Sequence, residues 1–268
     1  MKLFADDVKL YSKVYTNPHS LQEGLNRIVE WSRTWQLPIS DSKCCTFDLN
    51  QSSEVVYSLG NCVLPVTQEV DLGVTMDNGL KFSKHIAKGH RVTNLILKCF
   101  LSRDVNSLVR AFTTYVRPRL EYCSVAWNPA LKKDIESLEK VQRRFTKRLP
   151  GLQHLTYCRR LSRLYLESLE LRRLHFDLVF TYKMVFGLID VNLSDFFKLR
   201  SDNRNRGHQY KLFLPGCSSS ARHNFFTYRS AKMWNDLPSD STDFSSLSSF
   251  KRCLTSTFLA RHSKVYFF

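Results

Sequence analysis

The sequence predicts an α+β protein that is mostly α-helical, and three observations lead to this fold class. Short runs in which apolar and polar residues alternate recur within the first 80 positions, and this is the period of β-strands. From Ser83 onward, apolar residues recur every three or four positions, which is the period of helices. The 268 residues are 43% hydrophobic and 13% aromatic, so the chain carries enough apolar surface to fold.

The first 80 residues are predicted to contain a hairpin, one helix and several short strands. Asp6 and Asp7 stand between two short apolar runs, so we expect both at the exposed tip of a β-hairpin. Helical spacing from Ser20 to Trp35, with Pro18 just ahead of it, predicts an amphipathic helix. Strands are then expected at residues 45–49, 55–59, 62–66 and 70–74, with a turn at Gly60 and Asn61 between the second and third.

The rest of the chain is predicted to be helical, apart from a polar loop at residues 200–224. Within that loop, residues 210–214 are expected to form a short strand. The predicted helices cover residues 83–101, 106–127 with a break near Pro118, 134–149, 161–187 and 247–259.

The charge of the chain is large and unevenly distributed. The formal net charge is +16, made up of −4 over residues 1–80, +14 over residues 81–176 and +6 over the remainder. Such an excess usually means contact with phosphates or anionic lipid, and the middle third is the candidate region. The sequence has no apolar run near the roughly 18 residues that a membrane span needs, and no secretory signal is expected. Eight cysteines without paired metal-ligand spacing indicate reduced thiols in an intracellular protein.

Residues 132–149 are the clearest amphipathic helix of the chain. Apolar residues form one stripe, and seven basic side chains lie mostly away from it. A solvated helix with internal salt bridges is one interpretation, but only Asp134, Glu136 and Glu139 accompany the seven cations, which favours phosphate binding. The predicted nucleic-acid-binding residues of this helix are Lys132, Lys133, Lys140, Arg143, Arg144, Lys147 and Arg148.

The adjacent carboxylates of Asp6 and Asp7 have two interpretations. Two neighbouring carboxylates repel each other unless a cation neutralises them, and hard oxygen ligands suit Mg²⁺. In phosphoryl transfer, metal ions held by carboxylates from separate strands position the attacking and leaving oxygens. The alternative is an exposed acidic turn without a metal. Two residues alone do not decide between them.

Several stretches, in this order, resemble one family. FADDVKLY (4–11) resembles the [FY]ADD box of reverse transcriptases, and the remainder is similar to the jockey-like clade of non-LTR (LINE-type) retrotransposon polymerases. The resemblance covers nearly the whole chain from this box onward. The further stretches are LQEGLNRIVEWSRTWQLPISDSKC, VDLGVTMDNGLKFSKHI, TYVRPRLEYCSVAWNP, DIESLEKVQRRFTKRLPGL, LYLESLELRRLHFDLVFTYKMVFGL and FFTYRSAKMWNDLP.

The resemblance implies a role for each matching residue. Asp6 would ligate the catalytic Mg²⁺, Asp7 would assist it, and Lys43 would act near the departing pyrophosphate. Leu72 and Gly73 would hold the primer end. The implied domains are a truncated palm at 1–80, a basic helical thumb and extension at 81–190, and a C-terminal α+β segment at 191–268. The implied partners are an RNA template, a DNA primer and dNTP, without a membrane or an inferred protein partner. A nuclear site follows only from the family's habit of copying into chromosomes.

The resemblance begins about two thirds of the way through a polymerase domain. No other carboxylate in residues 1–80 stands in an equivalent motif, so the third metal-binding aspartate is missing. We therefore expect a fragment of an RNA-directed DNA polymerase that is inactive alone. Two alternatives stay open: a non-catalytic RNA- or DNA-binding helical module, and a translated relic without function whose exposed strand edge aggregates.

Overall fold

The computed structural model of the protein describes residues 1–12, 18–48, 55–66, 70–75, 77, 79–200 and 207–265. The chain folds as two compact units, Met1–Lys84 and His85–Phe268. Over the described residues the protein is mostly helical with a few short strands, as predicted. In the same ranges no helix is both long and apolar enough to cross a membrane. Part of the predicted loop, at 201–206, lies outside the described residues.

The predicted hairpin around the acidic pair is present. Strands β1 (Lys2–Phe4) and β2 (Asp7–Lys9) are antiparallel, and Ala5 and Asp6 form the two-residue turn between them. Asp6 therefore lies in the turn itself, whereas Asp7 is the first residue of β2. The paired residues are Lys2 with Lys9, Leu3 with Val8, and Phe4 with Asp7.

The remaining strands of the first unit are shorter than predicted. Residues 70–74 were expected to form one strand, but the chain reverses at Leu72 and Gly73, whose φ angles are 43° and 88°. Among the described residues the strands form three separate two-stranded sheets. Short apolar runs set the strand propensity of a segment but not its pairing partner. The elements are α1 (Pro18–Thr34), β3 (Ser58–Leu59), β4 (Cys62–Val63), β5 (Val70–Asp71) and β6 (Val74–Thr75).

Helix α1 is joined to β3 by one glutamine. The Gln22 side chain donates to the Ser58 carbonyl at 2.9 Å and accepts from the Ser58 amide at 3.0 Å. Pro18 occupies the first helical position rather than preceding the helix. An N–H at that position has no carbonyl partner within the helix, so its absence in proline costs no hydrogen bond. The Gln22 side chain thus pairs both the N–H and the carbonyl of Ser58 at the edge of β3.

The second unit contains the helices of the charged middle region. The predicted break near Pro118 is wrong, because the helical path continues to Glu121 through a π-helical stretch at Phe112–Val116. The wider turn accommodates a proline that has no N–H to donate. The helices up to this point are α2 (Ser83–Cys99), α3 (Val105–Ala111) and α4 (Arg117–Glu121).

The predicted helix over residues 161–187 is in fact two helices. Helix α6 ends at Leu164, Tyr165 takes a left-handed conformation, and Ser168 caps α7 by accepting from the Leu171 amide. The predicted final helix is also divided, and a pair of helices that sequence spacing did not indicate precedes it. The elements are α5 (Lys132–Lys147), α6 (Tyr157–Leu164), α7 (Leu169–Val185), α8 (Ser220–Asn224), α9 (Phe226–Asn235), α10 (Leu247–Cys253) and α11 (Ser256–Ala260).

The core of the second unit is built around α7, which packs against α5, α9, α10 and α11. Trp234 is fully buried there, and its indole N–H donates to the Tyr210 carbonyl at 2.7 Å. The Asn235 side chain donates to and accepts from the Leu212 backbone, both at 2.8 Å. The predicted strand at 210–214 is thereby reduced to a single bridge, in which Leu212 pairs with Leu199.

Buried charges tie these helices together. Arg229 of α9 makes two hydrogen bonds to the Asp177 carboxylate of α7, at 2.8 and 3.0 Å. Arg172 pairs with Glu121 through both carboxylate oxygens. Arg173 lies 3.8 Å from the ring centroid of Trp127. Removing Arg229 would leave the Asp177 carboxylate uncompensated in the interior, so this pair fixes the relative position of α7 and α9.

His208 is a buried group that links stability to pH. Its Nε2 donates to the Trp234 carbonyl at 2.8 Å, while Nδ1 is buried without a hydrogen-bond partner among the described residues. Burial lowers the pKa of His208, and Lys211 lowers it further. As pH falls, His208 is therefore protonated at a higher pH in the unfolded chain than in the folded chain. The contribution of neutral His208 to stability is complete above about pH 6.5 and is lost as pH falls through the folded pKa.

We therefore predict that His208→Gln shows a smaller loss of stability between pH 7 and pH 5 than the wild type. The glutamine keeps an N–H donor for the Trp234 carbonyl but does not titrate. Urea unfolding at pH 7, 6 and 5 measures the difference. Identical pH profiles for the two proteins would show that His208 is protonated equally easily in the folded and unfolded states.

Candidate nucleic-acid interface

Helix α5 places one apolar face against the core and one charged face in solvent. Ile135, Leu138, Val141 and Phe145 are buried, at the spacing of a single helix face. Asp134 lies in the first turn, and Arg144 and Lys147 lie in the last. These charges complement the helix dipole at each end. The helix is therefore fixed in rotation, and its outward face is determined.

Six of the seven predicted phosphate-binding side chains of this helix are exposed. We call these six the α5 cationic face, and none of them makes an ion pair with any residue that the structure describes. The seventh, Arg143, is half-buried, with its guanidinium 5.0 Å from the ring centroid of Tyr157. The members of the α5 cationic face are Lys132, Lys133, Lys140, Arg144, Lys147 and Arg148.

Glu139 does not belong to the charged surface, contrary to the sequence prediction. Its side chain is 0% exposed and accepts from the Leu169 amide at 3.0 Å, from the Glu170 amide at 3.4 Å and from the Tyr157 hydroxyl. The carboxylate thus lies at the first turn of α7, where free amide groups and the helix dipole favour a negative charge. Burial raises the pKa of Glu139 to about 7, and these hydrogen bonds oppose the rise.

The spacing of the sequence contained a signal for this burial. Glu139 follows the buried Leu138 and is four residues after Ile135, so it falls within the apolar stripe. Gln142, in the next turn, is also buried and donates to the Glu167 carbonyl at 2.9 Å. With Glu139 buried and Arg143 half-buried, the exposed face of α5 keeps six cations and a single exposed carboxylate, Glu136.

Helix α2 extends the basic surface beside the end of α5. Arg148 donates to the Asn94 side chain at 3.1 Å. Burial lowers the pKa of His90, and the charge of Arg144 lowers it further. Arg91 and Lys98 are exposed on the same face of α2 as Asn94. These two cations were not predicted, because the helical spacing of α2 alone does not reveal its neighbour.

The residues implied by the polymerase resemblance all lie in the first unit and are all exposed. Asp6 and Asp7 lie at the β1–β2 turn, Lys43 ends a 3₁₀ turn at Asp41–Lys43, and Leu72 and Gly73 form the β5–β6 turn. Asp6, Asp7 and Lys43 make no side-chain hydrogen bond or ion pair with any described residue. The structure places these groups on three separate elements, and within the described residues no hydrogen bond or ion pair joins their side chains.

A magnesium ion would find two carboxylates at the β1–β2 turn. Magnesium is usually bound by one or two carboxylates together with water and substrate phosphates, so Asp6 and Asp7 have the right chemistry. Within the described ranges, no group of three or more His, Cys, Asp or Glu side chains could hold a metal ion. Two carboxylates would leave most of the coordination of a magnesium ion to water and phosphate oxygens.

Comparison with known proteins adds no family assignment. No family model matches the chain, and no curated protein and no solved structure matches it. The likeness to reverse transcriptases therefore rests on the sequence motifs alone.

We predict that Glu139→Ala destabilises the protein by about 1 to 3 kcal/mol, because the amides of α7 and the Tyr157 hydroxyl lose a buried acceptor. The matched control is Glu136→Ala, on the exposed face of the same helix, which should change stability by less than about 0.5 kcal/mol. Urea unfolding followed by circular dichroism measures both. Equal stability of the two variants would contradict the role assigned to Glu139.

Proposed function

We propose that the protein binds nucleic acid through its second unit and that the α5 cationic face contacts the phosphate backbone of RNA or of an RNA–DNA duplex. We further propose that the chain is related to the C-terminal part of a jockey-like reverse transcriptase, with the first unit as part of a palm and the basic helices as a thumb. The α5 cationic face, exposed and without ion-pair partners among the described residues, is the observation that carries the proposal.

The dimensions of α5 suit a phosphate backbone. The 16 residues of the helix span about 24 Å at 1.5 Å per residue. Phosphates follow each other at about 3.4 Å along one strand, so the helix matches roughly seven phosphates. Unpaired lysines and arginines along that length can each displace a condensed counterion, which supplies the free energy of binding.

An anionic membrane surface suits this helix less well. A helix that lies in a lipid interface inserts its apolar face among the acyl chains. In α5 that face is occupied by the protein core, where Leu138, Val141 and Phe145 are buried. Only charged and polar side chains are free to meet a partner, which favours phosphates of a nucleic acid.

The first unit supports ancestry more than present catalysis. The Asp6 and Asp7 turn joins two antiparallel strands and is exposed, as expected for a polymerase hairpin that would hold Mg²⁺. Residues 1–80 contain no other carboxylate in an equivalent motif. We therefore propose that the resemblance to an RNA-directed DNA polymerase reflects relationship, and that this chain alone does not extend a primer.

Removal of three charges from α5 tests the binding proposal. Lys140→Ala, Arg144→Ala and Lys147→Ala together should reduce the slope of log affinity against log salt by roughly 2 to 3, because about three counterions are no longer released. The slope is measured by fluorescence anisotropy of a labelled RNA–DNA hybrid over about 50 to 300 mM salt.

The control for this variant removes the same charge elsewhere in the second unit. Lys232→Ala, Lys251→Ala and Arg261→Ala replace three exposed cations outside α5. We expect the salt slope of this control to match the wild type. If both triple variants lose binding equally, the interaction depends on net charge and not on the α5 cationic face.

Primer extension tests the catalytic expectation. Purified wild-type chain and Asp6→Ala should give the same background with an RNA template, a DNA primer, dNTP and Mg²⁺, because a two-metal site needs further carboxylates. DNA synthesis that disappears in Asp6→Ala would show that the chain is an active polymerase and would overturn the proposal of inactivity.

A further inference from the structure

Tyr165 occupies a position in the backbone that normally belongs to glycine. It follows the last residue of α6 with φ 52° and ψ 40°, the left-handed conformation. The Tyr165 amide donates to the Ser162 carbonyl, and the Leu166 amide donates to the Leu161 carbonyl at 3.0 Å. This pair of bonds is the Schellman motif, in which glycine is the usual left-handed residue because a Cβ is unfavourable there.

The fold gains no contact from the ring of this tyrosine. Tyr165 is 96% exposed, and its side chain makes no hydrogen bond and no ring contact with any described residue. Other tyrosines of the same region are used in the interior. Tyr157 is buried and bonded to Glu139, and Tyr182 donates to the Phe244 carbonyl at 2.9 Å. A large aromatic ring in this strained and exposed position is available to a partner outside the chain.

The surroundings of Tyr165 are cationic. Arg159 and Arg163 are exposed and lie four residues apart on one face of α6. The one acidic side chain close by in sequence, Glu167, interacts with Arg172 at 3.9 Å and accepts from Ser256. The turn at Tyr165 therefore follows a helix that carries two exposed arginines, and the carboxylate nearby in sequence is engaged by other groups.

The backbone at Tyr165 is fixed by the elements on either side. Leu161 anchors the end of α6 in the core, and Ser168 caps α7 three residues after Tyr165. Glu139 of α5 holds the first amides of α7. The turn thus presents Tyr165 on a rigid scaffold that is continuous with α5, because α6 packs directly on that helix.

We propose that Tyr165 stacks on an unpaired nucleobase, while Arg159 and Arg163 contact the adjoining phosphates. This inference rests on the proposed nucleic-acid binding and adds to the backbone contacts of α5 a site for an unpaired segment of RNA or DNA. Base stacking on an exposed aromatic flanked by cations is the general mode of single-strand binding, because every base has a π-face. A paired base cannot reach the ring, so the turn discriminates unpaired strands from duplex.

A charged ligand suits the site better than an apolar protein surface. Leu164 and Leu166, which flank the ring in sequence, are half-buried, so the turn exposes one aromatic side chain and no broad apolar patch. The net positive charge of the exposed neighbours favours a polyanion.

The experiment compares binding of two probes to the full chain: a labelled 12-nucleotide oligouridine and a blunt RNA–DNA hybrid of the same length. Tyr165→Ala should weaken oligouridine binding about 5- to 100-fold, the range expected for loss of one stacked base. Hybrid binding should stay within about twofold of wild type, because phosphate contacts are unchanged. Tyr165→Phe should keep wild-type affinity for both probes, since the ring is retained.

Tyr165→Gly separates binding from folding. Glycine relieves the left-handed strain, so we expect a higher melting temperature together with the same loss of oligouridine binding as in Tyr165→Ala. The inference would be overturned if both variants kept the wild-type affinity for oligouridine. It would also be overturned if the wild-type protein bound the hybrid but not oligouridine. Failure of the wild type to bind either probe would instead overturn the proposed function itself.

Discussion

The buried carboxylate of Glu139 is the interaction on which the second unit most depends. It joins three helices, because it belongs to α5, accepts from Tyr157 of α6 and accepts from the first amides of α7. Helix α7 in turn forms the centre of the core with α9, α10 and α11. One charge, placed where the helix dipole and free amides stabilise it, therefore fixes both the core and the outward direction of the α5 cationic face.

The sequence stretches that suggested a family are linked to one another by buried polar contacts in this unit. Arg172 pairs with Glu121, Arg229 with Asp177, and Arg173 lies on the ring of Trp127, which is 2% exposed. Each contact joins residues from two of the quoted stretches. Buried charges tolerate little change in either partner, because removing one leaves the other unpaired in the interior. Folding therefore accounts for these residues of the quoted stretches. The exposed cations are the residues left to be explained by function.

The apolar periodicity of the sequence predicted the long helices but not the local backbone features that determine which side chains they expose. The apolar spacing of α1, α2 and α5 located them within a few residues. It could not show the π-helical turn before Pro118 or the helix end at Tyr165, since both depend on local backbone geometry. The strands were the weakest prediction, because pairing partners are set by tertiary packing. In the candidate interface the α5 cations were predicted, whereas Glu139, Arg91 and Tyr165 required the structure.

The two chemistries considered for this chain place different demands on its fold. Phosphate binding needs only a helix that is held in one rotation with cations outward, and the buried Ile135, Leu138 and Phe145 provide that. Metal-dependent transfer needs carboxylates from separate elements that hold two metal ions about 4 Å apart. In the first unit Phe4, Trp31 and Trp35 are exposed, and its described strands form separate two-stranded sheets. The second unit therefore has the preorganisation that its proposed chemistry requires, which makes binding the function to be tested there.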